Sequence, residues 1–152
     1  MAFLHGLRVL DLTDERGLLA GRMLADLGAD VVQVEPPTGS SARRRVPHIR
    51  NDEGTQRADA SYVWEAYAAN KRGIVADLDS PEGQELIRRL AAVADVVVES
   101  DGAHVQAGRR LDADDLQAVN ARLVYASITA FGRTGPKADL HPADLVLWAA
   151  GG

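Results

Sequence analysis

The chain has 152 residues, is 46% hydrophobic, carries a net charge of −5 and contains no cysteine. That length suffices for one domain with a sizeable core, and the acidic balance argues against a nucleic-acid binder. The missing cysteines exclude disulfides, thiolate metal sites and a cysteine nucleophile, and they suit a reducing cytoplasm.

No apolar run approaches the roughly 20 residues that span a bilayer. The first residues, MAFLHGLRVLDLT, lack a basic start followed by an apolar stretch, so they do not read as a secretory signal. Leu7 to Thr13 reads as a first strand, and Gly17 to Leu27 as a helix with Leu18, Leu19, Met23, Leu24 and Leu27 on its apolar side. Gly28 suits the left-handed turn that ends a helix. Asp30 to Glu35 is a second strand, terminated by Pro36-Pro37, which cannot donate ladder hydrogen bonds.

The stretch 36–61 is polar and without period, a long loop of the kind that is usually functional or disordered. Tyr62, Val63, Trp64 and Tyr67 suggest a short helix docking on the sheet. Gly73 to Leu78 is a third strand. The helix after it has a clear start: Ser80 as cap, Pro81 at the first position, and Glu82 and Glu85 near the positive dipole end. Leu86, Ile87 and Leu90 continue its apolar stripe. Val96 to Glu99 is a fourth strand, 112–119 a short helix, Leu123 to Thr129 a fifth strand, and Ala143 to Ala150 a weakly amphipathic last helix.

Apolar strands alternating with helical patterns predict a Rossmann-like open α/β fold, a parallel sheet with helices on both faces. We expect a single domain over 1–152. Ligands of such sheets bind outside the carboxyl ends of the strands.

The turn after the first strand, Thr13-Asp14-Glu15-Arg16-Gly17, lacks G-x-G-x-x-G, and its two acids oppose a tightly held dinucleotide pyrophosphate. Lys71-Arg72 suits either a phosphate contact or a solvated strand entrance. Arg43-Arg44-Arg45 suits either closure over an anion or hydration. His141 and Asp144 are three apart, compatible with an acid/base pair or with Asp144 complementing a helix dipole. The remaining histidines are isolated and lack metal-ligand spacing. Gly132-Arg133-Thr134-Gly135-Pro136 follows the fifth strand as a glycine-bracketed loop at the same edge.

In order, LRVLDLT, LADLGADVVQVEPPTG, NKRGIVADLDSPEGQELIRRL, ADVVVE and NARLVYASITAFGRTGP cover nearly the whole chain. They resemble the class III CoA-transferase family (CaiB/BaiF type), which includes formyl-CoA transferase, carnitine CoA-transferase and α-methylacyl-CoA racemase. The resemblance implies a Rossmann-like large domain, an interlocked dimer, and CoA transfer between carboxylic acids through an aspartyl-CoA thioester. A carboxylate attacks the acyl thioester and is itself thioesterified, so one hard exchange becomes several easier ones.

Members are more than twice as long as this chain, and the resemblance puts the nucleophilic aspartate beyond its last glycines. The chain then reads as an amino-terminal portion without a catalytic residue. Racemase members have histidine before the aspartate that corresponds to Asp144, and here it is Ala143.

For CoA or acyl-CoA, with no metal, the resemblance implies Glu15, Arg16, Pro36, Ala76, Leu78, Asp79, Ser100, Asp101, Arg109 (or Arg110) and His141 as contacts. Asp79 and Asp101 bring negative charge to positions where members carry a cation and an aromatic residue, which opposes phosphate binding. The expectation is a CoA-transferase portion acting as a homo-oligomer or with a partner chain. The alternative is a non-catalytic assembly module of a split or tandem transferase.

Overall fold

The computed structural model describes residues 2–50, 53–138, 140 and 143–151. Its first half runs β1 (Arg8–Leu12), α1 (Leu18–Asp26), β2 (Asp30–Glu35), a 3₁₀ turn (Ser41–Arg44), β3 (His48–Arg50), β4 (Gln56–Ser61) and α2 (Tyr62–Ala68). There follow β5 (Arg72–Val75), α3 (Pro81–Ala91), β6 (Val96–Glu99), α4 (Ala103–Arg109), α5 (Ala113–Val119), β7 (Val124–Ser127) and α6 (Asp144–Gly151). β5, β2, β1, β6 and β7 lie side by side in that order, every neighbouring pair parallel.

Alternation along β1 distributes its residues between two cores. Leu10 and Leu12 join Val34, Val97, Ile87 of α3 and Leu116 of α5 on one face. Val9 joins Val31, Val98 and Ala25 of α1 on the other. Helices therefore cover both faces, as a parallel sheet requires. Complete burial of a side chain such as Ile87 contributes roughly 1.5–3 kcal/mol.

The helix start read from Ser80-Pro81 is present: the Ser80 hydroxyl accepts from the Gly83 amide at 3.0 Å. The third and fifth strands are shorter than their apolar runs, ending at Val75 and Ser127.

Three local expectations change. In α1 the buried positions are Leu18, Gly21 and Ala25, while Leu19, Met23 and Leu27 face outward. The reason is close approach: a Cβ on Gly21 would fall 1.9 Å from the Asp11 carboxylate, so the helix seats its small residues on the sheet. The stretch 36–61 is not a plain loop. It holds the 3₁₀ turn, capped by Ser40, and the antiparallel β3–β4 pair. α2 forms as expected, but Trp64 packs with Leu18 and Ala42, on α1 and the 3₁₀ turn.

α4 lies where the sequence shows no helical period, and this helix carries an uncompensated group. Gln106 is fully buried, and neither its amide nitrogen nor its oxygen has a partner among the described residues. Such a group costs about 1–3 kcal/mol in lost hydration. Gln106→Met, similar in volume, is expected to raise unfolding free energy by about 1 kcal/mol in urea titrations.

Candidate functional site

The chain runs from β1 to β2 and β5 on one side of the sheet, then to β6 and β7 on the other. β1 and β6 are thus the topological switch point, where open sheets form a ligand crevice beyond the strand ends. Here the two strand exits are tied together. The Asp14 amide donates to the Ser100 hydroxyl at 2.9 Å, and that hydroxyl donates to the Asp14 carboxylate at 2.9 Å.

Two clefts flank this tie. One, of about 270 Å³, is lined by Pro36 and Thr38 after β2, Leu78 and Asp79 after β5, and Asp101 and Arg109. The other, of about 320 Å³, is lined by Arg16, Ser100, Asp101 and the loop with Gly132 and Arg133 after β7.

Of the ten expected contact positions, Pro36, Leu78, Asp79, Asp101 and Arg109 meet in the first cleft. Arg16 and Ser100 line the second, which shares Asp101. Glu15 lies on the same turn but is engaged by the Ser41 hydroxyl and stands 3.9 Å from Arg45. Ala76 is buried in the core beneath β5 and lines neither cleft. His141, and with it the His141–Asp144 pairing, lies outside the described residues.

The added acids Asp79 and Asp101 are not left facing the clefts alone. Arg109 donates through Nε to Asp79 at 2.7 Å and through Nη1 to Asp101 at 2.6 Å. That pairing holds the Asp79 carboxyl below its usual range. Arg16 forks Asp14, with its closest contact at 2.6 Å, and stands 3.9 Å from Asp101. Burial pushes the Asp14 carboxyl up, but hydrogen bonds from Arg16 and Ser100 outweigh it and hold the group below its usual range.

Below the crevice, Glu99 is fully buried at the end of β6. It accepts from the amides of Asp101 at 2.8 Å and Gly102 at 3.0 Å, from the Ser127 hydroxyl, and from Arg133 at 3.2 Å. Arg133 also reaches Asp112 and stacks on Tyr125, 5.3 Å from the ring centroid. Burial raises the Tyr125 phenol, with the Glu99 charge adding to it. Glu99 thereby fixes the chain reversal that presents Asp101, and it pulls Arg133 inward. The sequence signal for this is an acid that ends an otherwise apolar strand, the last residue of ADVVVE.

The basic pairs have other work. Lys71 is not a phosphate contact: its ammonium lies inside the fold, bonded to Asp11 at 2.7 Å, the Leu18 carbonyl at 2.8 Å and Gln33 at 2.9 Å. Arg72 grips Asp30 through two nitrogens, at 2.8 and 2.7 Å. Arg43 forks Glu35 at 2.6 and 2.8 Å and lies 4.0 Å over the Trp64 ring, closing the strand end rather than an external anion.

The Arg43 contact gives a pH-dependent expectation. Hydrogen bonding by Arg43 holds the Glu35 carboxyl below its ordinary 4.5, so its stabilisation is present above that value and is lost as pH falls through the folded value. The stability gap between wild type and Arg43→Met should be constant at neutral pH and narrow in acid. What persists in acid comes from contacts other than the Glu35 pair, the Trp64 stacking among them. A gap that widens in acid would contradict the pairing.

Compared with known proteins, residues 4–152 match the family model described as CoA-transferase family III. The chain is 43% identical over 151 residues to the succinyl-CoA:(R)-benzylsuccinate CoA-transferase subunit BbsE of Thauera aromatica, covering 95% of this chain and 36% of that protein. It is 42% identical over 152 residues to the succinate–glutarate CoA-transferase of Agrobacterium fabrum, covering 98% of this chain and 38% of that protein. A crystal structure of a CaiB/BaiF family protein from Brucella suis superposes with a TM-score of 0.86 at 39% identity, covering 97% of this chain and 39% of that one. The chain thus spans less than two-fifths of the length of these relatives. With the parallel sheet, the switch-point crevice and a match over almost every residue, this chain belongs to CoA-transferase family III.

Proposed function

We propose that residues 1–152 form one Rossmann-like unit, the amino-terminal part of a larger transferase domain, and that the switch-point crevice is part of its CoA-binding face. The complete protein would move CoA between carboxylic acids, as the names of its relatives describe for theirs. The observation that carries this is the convergence of two guanidinium groups, Arg16 and Arg109, on clefts formed by all five strand ends.

CoA brings phosphates and a flat adenine at one end and an acyl-bearing thiol arm at the other. Arg109 and Arg16 hold carboxylates through part of their guanidinium edges, and their remaining N–H donors suit phosphate oxygens. Pro36, Leu78 and Val34 supply an apolar wall beside them. No residue of this chain is assigned to the thioester exchange itself. Its part is to hold and orient the donor, so that a carboxylate nucleophile meets the acyl carbon in line.

Calorimetric titration of the chain with CoA tests this. Saturable binding at one site per chain, tighter than about 1 mM and weakening with added salt, is expected. Absence of heat at millimolar CoA would overturn it.

Assembly is part of the same proposal. No residue of α6 is buried, and Leu145 and Trp148 are 81% and 79% exposed. An apolar helix in this state calls for a cover, supplied by a second copy or a partner chain. Sedimentation of the chain alone is expected to show mass rising with concentration, and Trp148→Glu should diminish that rise. A monomer at every concentration would contradict self-association.

A further inference from the structure

The cation that offers most to an anion in the first cleft is already occupied. Arg109 is held between Asp79, through Nε, and Asp101, through Nη1. The two carboxylates differ in freedom. Asp101 is anchored: its amide donates to the buried Glu99 at 2.8 Å, and its side chain also stands 3.9 Å from Arg16. Asp79 is 75% exposed, and Arg109 is the only partner of its carboxylate among the described residues. Its backbone amide is separately tied to the Asp77 carboxylate at 3.0 Å, so the side chain swings without disturbing the turn.

From this clasp we infer that Asp79 is a charge gate on the cleft: it competes with incoming phosphate for Arg109 and so sets how much negative charge the site accepts. A phosphate that takes the Nε side of Arg109 displaces Asp79, and one that takes another N–H of the guanidinium meets the Asp79 charge at short range. The other charged linings do not relieve this. Asp14, Asp77 and Asp101 share the cleft, and Arg44 is turned to the Thr38 carbonyl at 3.1 Å. The more negative the ligand, the more it gains from removal of the Asp79 charge. Because Asp79 acts through Arg109, it is a positioning residue. The gate rests on the CoA proposal only for the identity of the ligand.

Asp79→Asn keeps the shape and removes the charge, and Asp79→Glu keeps the charge. Both variants and the wild type are titrated with CoA and with inorganic pyrophosphate at low and high salt. An exposed ion pair is weak, so the expected gain for Asp79→Asn is about two- to fivefold in affinity. The gain should appear with both ligands and should shrink as salt screens the cleft. Asp79→Glu should bind like the wild type, which a loss of packing alone would not produce.

The outcomes separate. If the wild type binds CoA and Asp79→Asn binds it equally or more weakly, the gate is wrong and the CoA reading stands. If no chain binds CoA but Asp79→Asn gains pyrophosphate affinity, the gate stands and the CoA reading fails. If no variant binds either ligand, both fail.

Discussion

Lys71→Met is expected to lose about 3–5 kcal/mol of unfolding free energy, a large share of the 5–15 kcal/mol typical of a domain. The cause is what it leaves behind. The Lys71 and Asp11 side chains are 1% and 0% exposed, and the pair joins β1 to the entrance of β5 across 60 residues of sequence. Burial pulls the Lys71 ammonium below the usual lysine range, against the opposing charge of Asp11. Without the ammonium, Asp11 keeps, among the described residues, the Thr13 amide at 3.0 Å and hydroxyl at 2.6 Å. The Leu18 carbonyl and Gln33 amide oxygen each lose a donor as well.

Replacing both partners by apolar groups, as in Asp11→Leu with Lys71→Met, should recover much of the loss, because no uncompensated charge remains. Urea unfolding of the single and double variants measures this. A single-variant loss below about 1 kcal/mol, the scale of a surface pair, would show that the buried pair does not matter as described.

Arg109→Ala is expected to weaken CoA binding by about ten- to a hundredfold, the equivalent of about 1.5–3 kcal/mol for charge-assisted hydrogen bonds. Two effects act together. The cleft loses its fork of donors, Asp79 is left without a cation, and Asp101 keeps only the looser Arg16 contact against the ligand's phosphates. Arg109→Lys should restore charge but not two-pronged geometry, and so recover only part of the loss. The variant's circular dichroism should stay near wild type, because Arg109 belongs to none of the apolar clusters that hold the sheet and helices together. Unchanged CoA affinity in Arg109→Ala would remove Arg109 from the site.

The sequence disclosed the sheet well because the signals there are local. Val31, Val32 and Val34 form a run that nothing but a buried strand explains, and Gly28, at φ 102°, stops α1 as its residue type predicts. The Ser80 cap was legible for the same reason. The β3–β4 pair was not: three residues of β3, a register shift and polar composition leave no period to read. α4 was missed because AHVQAGR is a seven-residue helix entered from Gly102 without a side-chain cap.

At the site, the strand ends pointed to one edge, and seven of the ten positions that the resemblance implied line the two clefts there. The sequence could not supply pairings between distant residues. Asp79 and Asp101 read as excess acid because Arg109, 30 and 8 residues away, had no visible claim on either. Lys71 left both a phosphate contact and a solvated strand entrance open, because Asp11 lies so far from it in the chain. Charges that look exposed in one dimension are settled by neighbours that only the fold provides.

Amide chemical-shift mapping during a CoA titration tests ligand binding at the switch point directly. Shifts concentrated at Arg16, Asp79, Ser100, Asp101 and Arg109, with little change around Arg8, Asp30 and Val93 at the opposite strand ends, are the predicted result. Shifts centred on that opposite edge, or none at saturating CoA, would contradict it.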